Sequence, residues 1–211
     1  MMLNVGKEDE RGARMRAYSE YWATTMMRGL LAIVAGTGVL FIPEMASTIL
    51  LLPFAFGISI LCLAAYGVID SALVFTTSFM IPGEQPGRFA LRMQGICGAL
   101  IGVLLFALVY DHVRLHWFLY FAAAQAIGVA ITEFIVARGT SEHHGARWCY
   151  VSAGIAAVCA IALLFGRNLS PRELAWLTYG YLGIFGFNLF GLSARMLFAE
   201  RNVPHVAHAR L

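Results

Sequence analysis

The stretch STILLLPFAFGISILCLAAYGVIDSALVF (47–75) decides how this chain folds. It runs apolar across its whole length, and Asp70 is the only charged residue in it. The hydrocarbon core of a bilayer, about 30 Å thick, is crossed by roughly 20 residues of helix. A barrel strand would need only about 10 residues and would alternate apolar with polar ones. This run does neither, and a helix satisfies every backbone hydrogen bond within its own segment. The reading is a transmembrane helix that carries one carboxylate.

Five further runs of the same kind follow from that reading. They lie at about 26–43, 89–110, 115–137, 148–166 and 171–198. The chain as a whole is 60% hydrophobic and 13% charged, against about 45–50% and about 25% for a soluble domain. The expected fold is therefore an all-α integral membrane protein with six transmembrane helices. One transmembrane domain, 26–198, sits between an N-terminal tail, 1–25, and a C-terminal tail, 199–211. The tail sequence GKEDERGARMRAYSE (6–20) reads as a mobile arm or an interfacial helix, and the run after it as an uncleaved first span. The loop TTSFMIPGEQPGR (76–88) holds two prolines and two glycines and should break the chain. Pro53 falls in the opening turns of the second span, where it could kink it. Pro171 is well placed to open the sixth.

Positive charge sets the expected orientation. Lys7, Arg11, Arg14, Arg16, Arg28, Arg88, Arg92, Arg138, Arg147, Arg195, Arg201 and Arg210 fall on one side of such a topology. Arg114, Arg167 and Arg172 fall on the other. Both termini are expected in the cytoplasm. Tyrosine and tryptophan at the run ends, among them Trp22, Trp117, Trp148 and Trp176, read as an aromatic belt.

The six runs read as one helical hairpin used three times, at about 26–75, 89–137 and 148–198. RGLLAIVAGTGVLF (28–41), QGICGALIGVLLF (94–106) and AGIAAVCAIALLF (153–165) align as the opening helices. The returning helices align on Gly67, Gly128 and Gly186. Such a period marks tandem repeats. They are parallel, so the alternating-access logic of inverted repeats has no footing here. Small residues at helical spacing offer close-packing positions: Gly98 with Gly102, Ala32 with Gly36, Ala124 with Gly128, and Gly180, Gly183 and Gly186. They serve either packing within one subunit or contact with a second copy.

The segment YWATTMMRGLLAIVAGTGVLFIPEMA (21–46) resembles the HdeD-like family of bacterial acid-resistance membrane proteins. Trp22, the Arg28-Gly29 pair, Gly36 and Pro43 carry the likeness. TEFIVAR (132–138) followed by RWCYVSAGIAAV (147–158) extends it through Glu133, Arg138 and Trp148, and LSARM (192–196) through Arg195. The chain departs from the family where the third run ends FALVYDHVR without proline, and in its long second loop. The resemblance implies six helices in the inner membrane and a role in surviving acid or general envelope stress. It implies no catalytic residue.

Two carboxylates lie within the apolar runs, Asp70 and Glu133. Both come late in runs that return to the cytoplasmic side, so both are expected near that boundary. Arg28 and Arg92 open their runs at the same level. One reading makes these groups helix-end ion pairs. The other makes them proton-responsive, since burial disfavours a charged carboxylate and a nearby arginine favours it. His112 and His116, four residues apart on the outer side, are candidates for sensing external pH. With Asp111 they supply three local ligand candidates, too few for an assigned metal site.

No GxSxG, HExxH, P-loop or dinucleotide fingerprint occurs, and deep polar residues are few: Gln94, Gln125, Thr132, Ser152 and Asn188. A non-enzymatic protein without cofactor or metal is expected. Its partners are the lipid bilayer and a second copy or another membrane protein. The scattered arginines suit no nucleic acid. A small proton or solute channel, or a scaffold that binds a partner through Gly/Ala faces, remain the alternatives. Cys62, Cys97, Cys149 and Cys159 form no CxxC pair and read as small buried hydrophobes.

Overall fold

The computed structural model describes residues 5–45, 52–80, 86–110, 115–139 and 146–201. These residues form α1 (Val5–Met45), α2 (Leu52–Met80), α3 (Pro86–Tyr110), α4 (Leu115–Gly139), α5 (Ala146–Phe165) and α6 (Pro171–Arg201). A short 3₁₀ turn, Gly166–Asn168, links α5 towards α6. Six helices are long and apolar enough to cross a membrane, and no strand occurs among the described residues.

The helices outrun their expected limits at several places, α3 among them, since it begins at Pro86 inside the segment read as a loop. α1 begins at Val5, so most of the segment read as a tail is helical and continuous with the first span. α6 continues to Arg201, and the rest of the C-terminal tail lies outside the described residues. α2 runs on through Thr76, Thr77 and Ser78, which sequence reasoning assigned to a loop. Their hydroxyls donate back to their own helix. Thr76 reaches the carbonyls of Ala72 and Leu73 at 3.0 and 2.9 Å, Ser78 reaches Phe75 at 2.6 Å, and Thr77 reaches Leu73. Back-bonded hydroxyls need no water, so a polar triplet can stay helical in apolar surroundings.

Pro53 and Pro171 both fall in the first turn of a helix, the positions expected of them. Pro53 sits in the first turn of α2, where its missing N–H opens no gap. Ser170 and Glu173 cap α6 reciprocally around Pro171. The Ser170 N–H donates to Glu173 Oε2 at 2.7 Å, and the Glu173 N–H donates to Ser170 Oγ at 3.3 Å.

The main helix contacts close a ring, each helix packing on its two chain neighbours and α6 on α1. The most extensive of these contacts are α1 with α6, α2 with α3, and α4 with α5. The tightest pairs thus join the end of one expected hairpin to the start of the next, and α1·α2, α3·α4 and α5·α6 are looser.

Glycine explains two of the tight pairs. A Cβ on Gly29 would meet the Gly186 carbonyl oxygen at 2.8 Å, and one on Gly186 would meet that of Gly29 at 2.7 Å. On α3, a Cβ on Gly95 would meet the Ser71 carbonyl at 2.9 Å, and one on Gly102 would meet Val68 at 2.6 Å. Backbones at this distance gain dispersion contacts that side chains would prevent. Ser71 therefore stands to Gly95 as Gly186 stands to Gly29. The sequence alignment, which matches Gly186 with Gly67, is one helical turn off. Gly67 instead lies under the Gln125 side chain.

Other small residues do no such work. Gly128, Gly154, Gly180 and Gly183 have nothing within 4 Å of an added Cβ, and Ala124 is exposed. The α4·α5 pair closes on alanine and cysteine instead: Ala123, Ala153, Ala156, Cys149, Cys159 and Ala160 are buried.

Large apolar side chains cover the outside of the bundle, with Phe165 81% and Phe54 71% exposed. The buried core centres on Ala32, Val129, Ala156, Leu182, Phe185 and Leu189. Cys149 and Cys159 are buried as expected of small hydrophobes, but Cys62 is only partly covered and Cys97 is exposed. Trp148 does not behave as a belt residue. Its ring packs on Gly191, 2.9 Å from where a Cβ would sit.

Gly29→Leu should lower stability by about 1–3 kcal/mol, the scale of overpacking a filled site, whereas Gly154→Leu should change it little. Thermal unfolding of the two variants in detergent, followed by size exclusion, checks the difference.

Candidate functional site

Inside the ring, Arg28 of α1, Asp70 of α2 and Glu133 of α4 meet. They are 3%, 4% and 6% exposed. Arg28 Nε donates to Asp70 Oδ1 at 2.7 Å, and Nη2 donates to Oδ2 at 3.3 Å. Nη1 lies 3.8 Å from Glu133 Oε1. One guanidinium thus holds one carboxylate in a two-pronged bond and faces a second across the bundle. Such paired, charge-assisted bonds are the strong ones. On α5 the Cys149 thiol is within hydrogen-bonding reach of Glu133.

The depth of Asp70 differs from the expectation. It lies ten residues before Met80, about 15 Å along the helix axis at the usual rise. It is near the middle of the span Gly57–Phe79, not at a helix end. The extra turn of α2 is the cause. The same turn explains Arg92, which is not brought to the acids. Its guanidinium sits over the Phe79 ring, 4.6 Å from the centroid. Phe79 is nine residues past Asp70, about 13 Å further along the axis.

When all three groups are ionised the cluster carries one net negative charge. A bare charge is expensive away from water, so one proton or one small cation would balance it. Asp70 also borders a cavity of about 70 Å³. Tyr66, Gln125, Thr178, Tyr181 and Cys159 line the cavity beside it, with Phe118 and Phe185 among its apolar walls. A second polar tie lies between α5 and α6, where Asn188 Nδ2 donates to the Trp148 carbonyl at 3.2 Å and to Ser152 Oγ.

Sequence reasoning did not single out Tyr66, Tyr181 or Cys149. Tyr66 was readable, being one turn before Asp70 and so on the same helix face. Tyr181 and Cys149 carried no local signal, because only the packing of α5 and α6 brings them in. His112 lies outside the described residues, as does the side chain of His116, although its backbone opens α4. Among the described residues, no three His, Cys, Asp or Glu side chains are placed to hold a metal ion.

No family model, curated protein or solved structure matches the chain.

Asp70→Asn weakens the two-pronged bond to Arg28 and leaves Glu133 as its facing carboxylate, so it should lower stability by about 1.5–3 kcal/mol, the scale of a hydrogen bond to a charged group. The double variant Arg28→Met with Asp70→Leu removes both partners of that bond but leaves Glu133 buried without its cation, so it should recover only part of that loss. Thermal unfolding of the singles and the double, read as a double-mutant cycle, measures the coupling.

Proposed function

We propose that this protein is a proton-responsive, non-enzymatic membrane protein that protects a bacterial cell against acid or general envelope stress. It belongs in the inner membrane as three parallel hairpin repeats. Six crossings return both termini to one side, and the arginine distribution supports the cytoplasm as that side. The observation that carries the reading is one buried guanidinium facing two buried carboxylates across three helices. Such a cluster is neutral with one proton bound and charged without it, so its packing depends on proton supply. Ionisable groups at this depth are expensive and usually functional. The resemblance of 21–46 to acid-resistance proteins agrees with that role.

The cavity at Asp70 favours a second reading, a small proton or solute conductor. A scaffold that recruits partners through glycine faces has less support. Gly29, Gly186, Gly95 and Gly102 are already packed within the bundle.

Cells lacking their own copy and complemented with Asp70→Asn or Glu133→Gln should lose acid survival while the variants insert at normal levels. Unchanged survival in both would sink the proton-responsive reading. For the second reading, the protein in liposomes with a trapped pH dye should pass protons under an acid gradient, and the same variants should not. A rate equal to that of empty liposomes would remove conduction and leave the protective role.

A further inference from the structure

The cavity wall is mostly apolar but includes five residues with hydrogen-bonding side chains. Asp70, Tyr66, Gln125, Thr178 and Tyr181 all line it. Thr178 donates its hydroxyl to the Leu174 carbonyl at 2.8 Å, so its oxygen is left to accept. An apolar void of this size stays dry, whereas a polar one fills when each water finds two to four partners. At about 10–15 Å³ per water centre, 70 Å³ has room for a few waters in file. It is far below the roughly 300–1,000 Å³ of organic-ligand pockets.

The lining is also one-sided. Leu105 is near the end of α3, Phe118 near the start of α4, Leu163 near the end of α5, and Thr178 in the second turn of α6. All four lie towards the same end of the bundle. Asp70, Val129 and Phe185 are the lining residues furthest from that end. Among the described residues, none from α1 lines the cavity. At this end Val129 and Phe185 belong to one apolar core layer with Ala32, Ala156 and Leu189.

We propose that this cavity is a hydrated antechamber: a short file of water that connects the α3–α4 end of the bundle to the Asp70 carboxylate, while the layer beyond keeps the opposite end dry. Protons then exchange with the cluster from one side only, the outer side in the orientation given above. The ionisable groups around the cluster are Arg28 from α1, Tyr66 beside Asp70 on α2, Glu133 from α4, Cys149 and Cys159 from α5, and Tyr181 from α6. α3 contributes the apolar Leu105. The inference rests on the proton-responsive reading for its purpose, but hydration can be tested apart from it.

Native cysteines supply the probe. Cys159 lines the cavity, Cys149 lies at Glu133, and Cys97 is on the outer face of the bundle. The full chain in lipid nanodiscs is exposed to silver ion, a water-sized thiol reagent. The remaining thiols are then alkylated under denaturing conditions and located by mass spectrometry. Cys159 should be blocked at least about tenfold faster than Cys149, because access controls thiol reactivity. Ala122→Phe, on the cavity wall, should slow Cys159 and leave Cys149 unchanged. Cys159 reacting as slowly as Cys149 overturns the antechamber, as does an Ala122→Phe variant with unaltered Cys159. Cys149 reacting as fast as Cys159 overturns its one-sidedness. Blocked Cys159 together with unchanged acid survival in the Asp70 and Glu133 variants would leave the chamber standing and remove the proton role. The reverse pair would leave the role and remove the chamber.

Discussion

Arg28 ties together three helices that chain connectivity alone would leave free to slide. Its bonds to Asp70 set the level of α1 against α2, and Glu133 extends the tie to α4. A buried charge tolerates little displacement, because a lost partner leaves it without compensation. Apolar contacts tolerate slippage far better, since one aliphatic side chain replaces another at small cost. The buried hydrophobic core is mostly alanine and leucine, so register depends on this cluster more than on the core. The same feature makes the cluster sensitive to protons. A group that sets register by its charge changes that register's stability when the charge changes.

Close backbone approach is the second constraint. α1 meets α6 through Gly29 and Gly186, and α3 meets α2 through Gly95 and Gly102. These contacts hold the ring shut at α1·α6 and α2·α3, the two most extensive helix pairs. The looser pairs within hairpins leave space on the inner side, and the cavity at Asp70 occupies part of it. Tight seams and a loose interior thus come from the same placement of small residues. Where α4 meets α5 the small residues are alanine and cysteine, which puts two thiols inside the bundle beside polar groups.

The sequence was a good guide to local structure and a weaker one to level. Six apolar runs were legible from their length, and the start of α6 from Pro171. The acids were legible as unusual residues, and Arg28 as a partner at a comparable level. Arg92 was misjudged because Thr76, Thr77 and Ser78 look like a loop when polarity is counted. Their hydroxyls bond inward to the helix, which lengthens α2 and moves Asp70 away from its end. The glycine alignment erred for a related reason. Sequence matching aligns identical letters, whereas helix packing aligns surfaces, and Ser71 serves as well as glycine when its carbonyl is what is approached.

What the sequence by itself determined was helical class, the number of spans and the identity of the buried charges. Each of these depends on residues within a single run, where apolar length and backbone hydrogen bonding act locally. Tertiary structure alone decided that one arginine faces two acids, that Tyr66, Gln125, Thr178 and Tyr181 share a cavity, and that Cys149 lies at Glu133 while Cys159 lines that cavity. These facts depend on the rotation and level of each helix relative to its neighbours. Within a uniformly apolar run the residue pattern scarcely marks which face turns inward, so only packing could settle them.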